Sequence, residues 1–226
     1  MQEDKFLAAK RAVGKLLVAQ IKTGMLLGIG TGSTVDATLL ELQERLKIEP
    51  MQLLACVTSI ESALACEKMG ITVLTGHSTL QPDLGFDGAD EVDKTRTAIK
   101  GRGGALLREK LVAAACKRFV LIVDQSKVVE KLGAKFPVPV EIIPEGFGVA
   151  ERGLLKLGAL SVELRECSGG KHGPVITEKG NLILDCKFAE VNAALEREIK
   201  TVIGVVESGI FSGLAHEVLV AGAESF

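Results

Sequence analysis

The chain has 226 residues, 47% hydrophobic and 25% charged, with a net charge of -2. That is enough for one large domain, or one domain with a smaller one attached. The near-neutral charge argues against a nucleic-acid backbone or an anionic membrane surface as partner, so any anion must be captured by a few placed groups. Trp and Tyr are absent, which leaves little for stacking on bases, and no apolar run is long enough to span a bilayer. The five cysteines, Cys56, Cys66, Cys116, Cys167 and Cys186, are scattered and form no C-x-x-C. Buried reduced thiols in a cytoplasmic protein are expected, and the charged start MQEDKFLAAK has no apolar signal core.

The first segment reads as a helix capped by Asp4, with Phe6, Val13, Leu16 and Leu17 at helical spacing. MLLGIG follows as a buried strand, then a helix from Ser33 with Val35, Leu39, Leu42 and Leu46 on one face. LLACVTS reads as a strand, the segment through Ala65 as a helix, and ITVLTG as a strand. LGFDGAD is a strand running into a polar turn; a glycine-rich loop then leads to a helix from Ala105 to about Lys117, and FVLIVD is the next strand. Alternating helices with strands that are apolar throughout argue a mainly parallel sheet covered on both faces.

The pattern changes near Gly133. VPVEII, a helix over about 145–157, SVELRE, a hairpin pairing PVIT with NLILD across Glu178 to Gly180, a helix over about 190–200 and the strand VVESGIF follow in turn. This β-α-β-β-α-β order is that of a split βαβ, ferredoxin-like unit. HEVLVAG is a short strand able to return to the large sheet. The expected fold is therefore α/β: a Rossmann-like domain of residues 1–132 and 205–226, with an inserted ferredoxin-like α+β domain of residues 133–204.

Several motifs carry chemistry. GIGTGST (28–34) sits where a strand turns into a helix, and Thr31, Ser33 and Thr34 add hydroxyls to the helix start. It reads either as a phosphate or oxyanion cradle or as a Ser/Thr-capped turn with no ligand. It is not a dinucleotide fingerprint: Ser33 replaces the third glycine, and Thr58 and Ser59 stand where an acid is needed. DGADEVD (87–93) puts Asp87, Gly88 and Asp90 at a strand's end, where open α/β sheets carry ligands; the plain alternative is a solvated acidic turn. His77, His172 and His216 lie in no ligand motif, so no metal is expected. Lys100, in KGRGG, is either a ligand lysine beside close-approach glycines or an exposed loop lysine.

Two charges stand on apolar faces. Glu109 has Ala105 and Ala113 at i±4 and Leu106 and Val112 at i±3, so no cation pairs with it along the helix. A carboxylate so placed suits a pocket and the work of a base, while Arg108 and Lys110 serve the surface. Lys10 lies in the stripe of Phe6, Val13 and Leu17, and either snorkels to solvent or turns inward to an anion. Lys127, in VDQSK, ends another strand, with Asp124 as its companion or as the cap of the next turn.

GIGTGST, DGADEVD, the loop after Lys100, REK, VDQSK, FPVPVEIIP and GNLILD occur in this order at the spacings of the ribose-5-phosphate isomerase A family, and the chain resembles that family from Lys10 to about Gly213. The resemblance implies reversible isomerisation of D-ribose 5-phosphate and D-ribulose 5-phosphate through an enediolate, in the pentose phosphate pathway, without metal or other cofactor. It implies a substrate loop of Thr31, Gly32, Ser33 and Thr34, an acidic turn of Asp87, Gly88, Ala89 and Asp90, and a second loop of Lys100, Gly101, Arg102 and Gly103. Glu109 matches the catalytic base, Lys127 a substrate lysine and Lys10 a phosphate lysine. It also implies a homodimer or homotetramer. Arg102 departs from a loop that usually reads with three glycines, which puts activity in question if that position needs a glycine-only conformation.

On this reading Glu109 moves a proton between C2 and C1, and Lys100 with nearby backbone N–H groups steadies the oxyanion. Asp87 and Asp90 hold sugar hydroxyls and assist ring opening. Ser33, Thr34, Lys127 and Lys10 take the phosphate. Rival enzymes on the same plan are sugar-phosphate deaminases and CoA transferases, and a sugar-phosphate sensor is the non-enzymatic rival.

Overall fold

A computed structural model describes residues 7–74, 80–170 and 172–226. The expected Asp4 cap, Phe6, His77 and the end of ITVLTG fall outside the described residues. In chain order the elements are α1 (Leu7–Val18), β1 (Leu26–Ile29), α2 (Ser33–Ile48), β2 (Leu54–Val57), α3 (Ile60–Lys68), β3 (Thr72–Val73) and β4 (Leu84–Asp87). Then come β5 (Glu91–Val92), β6 (Ala98–Ile99), α4 (Leu106–Ala115), β7 (Phe119–Asp124), β8 (Val138–Ile142), α5 (Phe147–Lys156) and β9 (Ser161–Leu164). The last are β10 (Leu182–Lys187), α6 (Ala193–Ile199), β11 (Val205–Ser208), β12 (Ile210–Phe211) and β13 (Glu217–Ala221).

The chain forms two compact units. The first takes Met1–Ala89, Arg108–Val128 and Leu214–Phe226; the second takes Asp90–Leu107 and Val129–Gly213. The second unit thus holds Asp90–Leu107 and residues 129–132 and 205–213 in addition to the 133–204 stretch marked out by the sequence pattern.

In the first unit, six strands pair in the order β13-β7-β4-β1-β2-β3, every pairing parallel. Counted within the unit this is 6-5-4-1-2-3, the doubly wound Rossmann-like order, and it reverses between β1 and β4. Apolar runs such as FVLIVD are buried along their whole length because helices cover both faces. Leu17, Ile21, Leu27, Ile29, Phe86 and Ile122 are fully buried in one core, each contributing roughly 2 kcal/mol of transfer free energy.

Two glycines in the strands set the position of α4. A Cβ on Gly28 would lie 2.7 Å from Cys116 Sγ and 2.9 Å from Val112 Cγ1, and one on Gly85 would lie 2.3 Å from Cys116 Sγ. Val112 and Cys116 are one helical turn apart, so they seat the helix on the bare backbones of β1 and β4. Gly28 therefore belongs to the strand and its packing, not to the loop motif. Burial pushes the Cys116 thiol up to about 12, so this sulfur fills space and does no chemistry.

In the second unit, four antiparallel strands run in the order β11-β8-β10-β9. Counted within this sheet the order is 4-1-3-2, the ferredoxin-like order. Val138, Val140, Ile142, Leu184 and Cys186 on one face pack with Ala150 and Leu154 of α5 and Leu195 and Ile199 of α6. A small antiparallel sheet, β12-β6-β5, joins the same unit.

Two expectations change here. PVIT is not a strand: β10 pairs with β9, and Pro174 makes only an isolated bridge with Glu166. The turn does form, with Thr177 N–H on Asn181 O at 2.9 Å, but SVEL takes the ladder with β10, and Pro174 has no N–H to give to one. VVESGIF is not one strand either. It breaks at Gly209 into β11 and β12, which belong to different sheets. HEVLVAG returns to the parallel sheet as β13, as its pattern indicates.

Candidate active site

The strands flanking the reversal point carry the first group of candidate residues. β1 runs into Gly30 and Thr31, and α2 begins at Ser33 after Gly32, whose φ of 115° is left-handed and favours glycine. No side chain caps this helix start, so its N–H groups and dipole face the loop itself. Lys10 settles its two readings by turning inward: it is buried, and its Nζ donates to Ser33 Oγ at 2.8 Å. A cation thus stands beside the positive end of a helix, an arrangement that favours an incoming anion.

A shelf of hydroxyls backs the loop. Thr31 Oγ1 lies 2.6 Å from Thr58 Oγ1 and 3.3 Å from Ser62 Oγ, and Ser62 Oγ donates to Gly30 O at 2.6 Å. Ser59 Oγ accepts from Ser62 N–H, capping α3. Sequence reasoning noted Thr58 and Ser59 only as the lack of an acid, and it missed Ser62. The signal was there in Ser59-Ile60-Glu61-Ser62, a helix-start pattern.

Asp87 ends β4 and is buried, which disposes of the solvated-turn alternative for this residue. Its Oδ1 accepts from Thr31 N–H at 3.2 Å and from Gly88 N–H at 2.7 Å. A Cβ on Gly88 would come within 4.0 Å of Thr34 Cβ, so the 31–34 loop and the 87–88 turn are neighbours.

Glu109 projects from α4, the helix seated on Gly28 and Gly85, and is 5% exposed. Its neighbour Arg108 does not serve the surface, as expected, but is half-buried, with Nη2 on Val57 O at 3.2 Å. That carbonyl is the last of β2, so the start of the helix is tied to the carboxyl end of the sheet, where ligands bind in such folds. Lys127 is half-buried at the end of a single 3-10 turn after β7; Asp124 caps that turn by accepting from Ser126 N–H at 2.9 Å.

The second unit holds the remaining candidates. Lys100 is 3% exposed, not an open loop lysine, with Nζ 5.6 Å from the Phe211 ring centroid and its N–H on Gly209 O at 2.8 Å. Asp90 is half-buried; its N–H donates to Ile99 O at 2.9 Å, and its Oδ2 accepts from Arg102 N–H at 3.2 Å. Gly101 carries the left-handed φ of this loop, 105°, whereas Arg102 is not among the positive-φ residues. The arginine therefore costs the loop no backbone strain. Its guanidinium stacks 4.3 Å from the Phe136 ring centroid, and Gly103 is exposed with open space about it.

Glu91, in the same acidic run, has another use. It is fully buried, and its carboxylate accepts from the N–H groups of Gly133, Lys135 and Phe136 at 2.7, 2.6 and 2.8 Å. Among the described residues no group of three or more His, Cys, Asp or Glu side chains is gathered to hold a metal ion.

These features define a class: an α/β enzyme whose hydroxyl and acidic side chains stand at the reversal point of a doubly wound sheet. Comparison with known proteins narrows it. Residues 54–225 match the family model described as ribose 5-phosphate isomerase A (phosphoriboisomerase A). A relative from Archaeoglobus fulgidus, named Ribose-5-phosphate isomerase A, is 42% identical over 220 residues, 96% of either chain. The solved ribose 5-phosphate isomerase A of Methanocaldococcus jannaschii superposes with a TM-score of 0.91 at 38% identity, covering 98% of this chain and 99% of that one. A D-ribose-5-phosphate isomerase solved in complex with phospho-erythronic acid gives 0.91 at 35% identity, covering 97% of each. The chain belongs to the ribose 5-phosphate isomerase A family.

Proposed function

We propose that this protein interconverts D-ribose 5-phosphate and D-ribulose 5-phosphate by proton transfer through an enediolate, with Glu109 as the base. The observation that carries the mechanism is the burial of the Glu109 carboxylate on a helix pinned to β1, β2 and β4. The aldose-to-ketose step takes a proton from C2 and returns it to C1, and one carboxylate within reach of both carbons suffices. A base withheld from bulk water returns the abstracted proton before it is lost to solvent.

The other roles are those the family resemblance implies, and the chemistry of each side chain suits its role. Ser33, Thr34, Lys10 and Lys127 are assigned to the phosphate, with the uncapped start of α2 adding N–H donors and Thr31 and Gly32 completing the loop. Binding this remote group supplies energy that orients the reacting carbons. Asp87, with Gly88 and Ala89, is assigned to sugar hydroxyls and ring opening, and Asp90 to the same task. Lys100 and the backbone of Gly101, Arg102 and Gly103 are assigned to the enediolate oxygen. Phospho-erythronic acid, the ligand of the related isomerase, is a sugar-acid phosphate whose planar carboxylate has the charge of that intermediate.

The proposal includes a homodimer or homotetramer in the cytoplasm, acting on free sugar phosphate in the pentose phosphate pathway. No described helix is long and apolar enough to cross a membrane. The decisive experiment is a coupled assay of ribulose 5-phosphate formation in chelator, for wild type and Glu109→Gln. The wild type should be fully active, and the variant should bind ribose 5-phosphate yet lose most turnover. Wild-type turnover in the variant overturns the assignment of the base, and loss of wild-type activity on metal removal overturns the cofactor-free route.

A further inference from the structure

Arg165 follows β9 directly and is mostly withdrawn from solvent, with 14% of its side chain exposed. Its Nε and Nη2 both reach the Asp185 carboxylate on β10, Nε to Oδ2 at 2.8 Å. The third nitrogen, Nη1, donates to Gly101 O at 2.8 Å and Arg102 O at 3.0 Å. A guanidinium is planar and rigid, so the two-point grip on Asp185 fixes where Nη1 points.

The Gly101 carbonyl shares a peptide group with the Arg102 N–H, and that N–H donates to Asp90 Oδ2 at 3.2 Å. A trans peptide presents its oxygen and its hydrogen on opposite sides. A cation held on the oxygen side therefore polarises the N–H toward Asp90. Asp185, Arg165, the 101–102 peptide and Asp90 form one continuous chain of hydrogen bonds within the second unit. Within the 100–103 loop Arg165 grips backbone atoms only, which also explains why an arginine side chain is accommodated at position 102.

We propose that Arg165, aligned by Asp185, is a positioning residue for the isomerisation: it holds the 101–102 peptide so that the Arg102 amide keeps the Asp90 carboxylate oriented. The inference rests on the role given to Asp90 above. The plain alternative is a staple between β9 and β10, whose Glu163 and Asp185 are paired in register.

The test is kcat/KM for wild type, Arg165→Met, Arg165→Lys and Asp185→Asn, with Arg165→Met repeated in an Asp90→Asn background. Arg165→Met should lower kcat/KM roughly 30-fold, with Arg165→Lys recovering part of the loss. In the Asp90→Asn background the same change should cost less than about threefold, since the two residues act as one unit. An equal loss in both backgrounds overturns the proposal in favour of the staple. Should Arg165→Met fail to fold, Asp185→Asn keeps the shape of the grip without its charge, and an unchanged kcat/KM there is equally fatal. The amide proton resonance of Arg102 gives a readout independent of turnover: it should move upfield in Arg165→Met, and no movement overturns the linkage. A wild type with no isomerase activity would sink the functional reading instead, leaving the resonance test to decide the linkage.

Discussion

The carboxyl carbon of Asp87 lies 2.1 Å from the place where a Cβ on Gly30 would stand. The loop after β1 and the turn after β4 thus meet through a residue that has no side chain. Gly30→Ala should force Asp87 away from the Thr31 and Gly88 N–H groups it now bridges. Overpacking of this kind costs about 1–3 kcal/mol. We expect a lower melting temperature together with at least a hundredfold loss of isomerase kcat/KM; a fully active Gly30→Ala protein would show that Asp87 need not stay where it is.

Lys10 and Ser33 predict a different kinetic signature. Lys10→Met keeps the length and burial of the side chain but removes the charge beside the start of α2. The phosphate is present equally in ground and transition states, so KM should rise about tenfold while kcat stays within about twofold. Steady-state kinetics distinguishes this from a loss confined to kcat.

Glu91 should prove structural. Replacing it with Ala leaves three part-buried N–H groups, those of Gly133, Lys135 and Phe136, without their acceptor. The cost should be of the order of 3–5 kcal/mol, read by denaturant titration.

Asp83 predicts a pH effect. Its carboxylate accepts from Lys117 Nζ at 2.7 Å and from Leu26 N–H at 3.0 Å. The Lys117 hydrogen bond first, and then the backbone bond, hold its pKa below the ordinary value. A lowered folded value means that the stabilisation is present above the unfolded pKa of about 3.9 and lost as pH falls through the folded one. Asp83→Asn should therefore melt slightly below wild type at pH 7, and the gap should close on acidification below about pH 4. The group is partly exposed, so the effect is small.

Thiol chemistry provides a further check. Burial pushes Cys66 up to about 11 and Cys116 and Cys186 up to about 12, and it raises Cys56 as well. Of the five cysteines only Cys167 is not buried. Native protein treated with iodoacetamide at pH 8 should carry one adduct per chain, on Cys167, by mass spectrometry.

Much of this was legible in the sequence because it depends on local pattern. FVLIVD reads as a doubly covered strand from its composition alone, and Glu109 stands out because its i±3 and i±4 neighbours in the sequence are Leu106, Val112, Ala105 and Ala113. What was not legible depends on residues distant in the chain. Arg108 looked like a surface residue because its acceptor, Val57 O, lies on another strand. PVIT looked like a hairpin arm because the turn beside it is a good one, but register is decided by which partner competes, and β9 does so from further upstream. The first acidic run looked like a single motif. Its members diverge into a substrate-facing candidate, Asp87, and a loop staple, Glu91, according to which backbone amides surround each.

Gly209 leaves room for the Lys100 carbonyl, which would lie 2.2 Å from a Cβ there, while its own N–H donates to Pro139 O at 2.7 Å. Every residue assigned to chemistry is translated by position 127, yet the backbone that grips Lys100 emerges from the ribosome far later. A nascent chain can therefore carry the full set of reactive side chains and still be inert, and catalysis begins only once the late segment has been threaded back beside its early partner. Premature stops anywhere before that glycine should yield products that are catalytically silent, however much of the early sheet they retain.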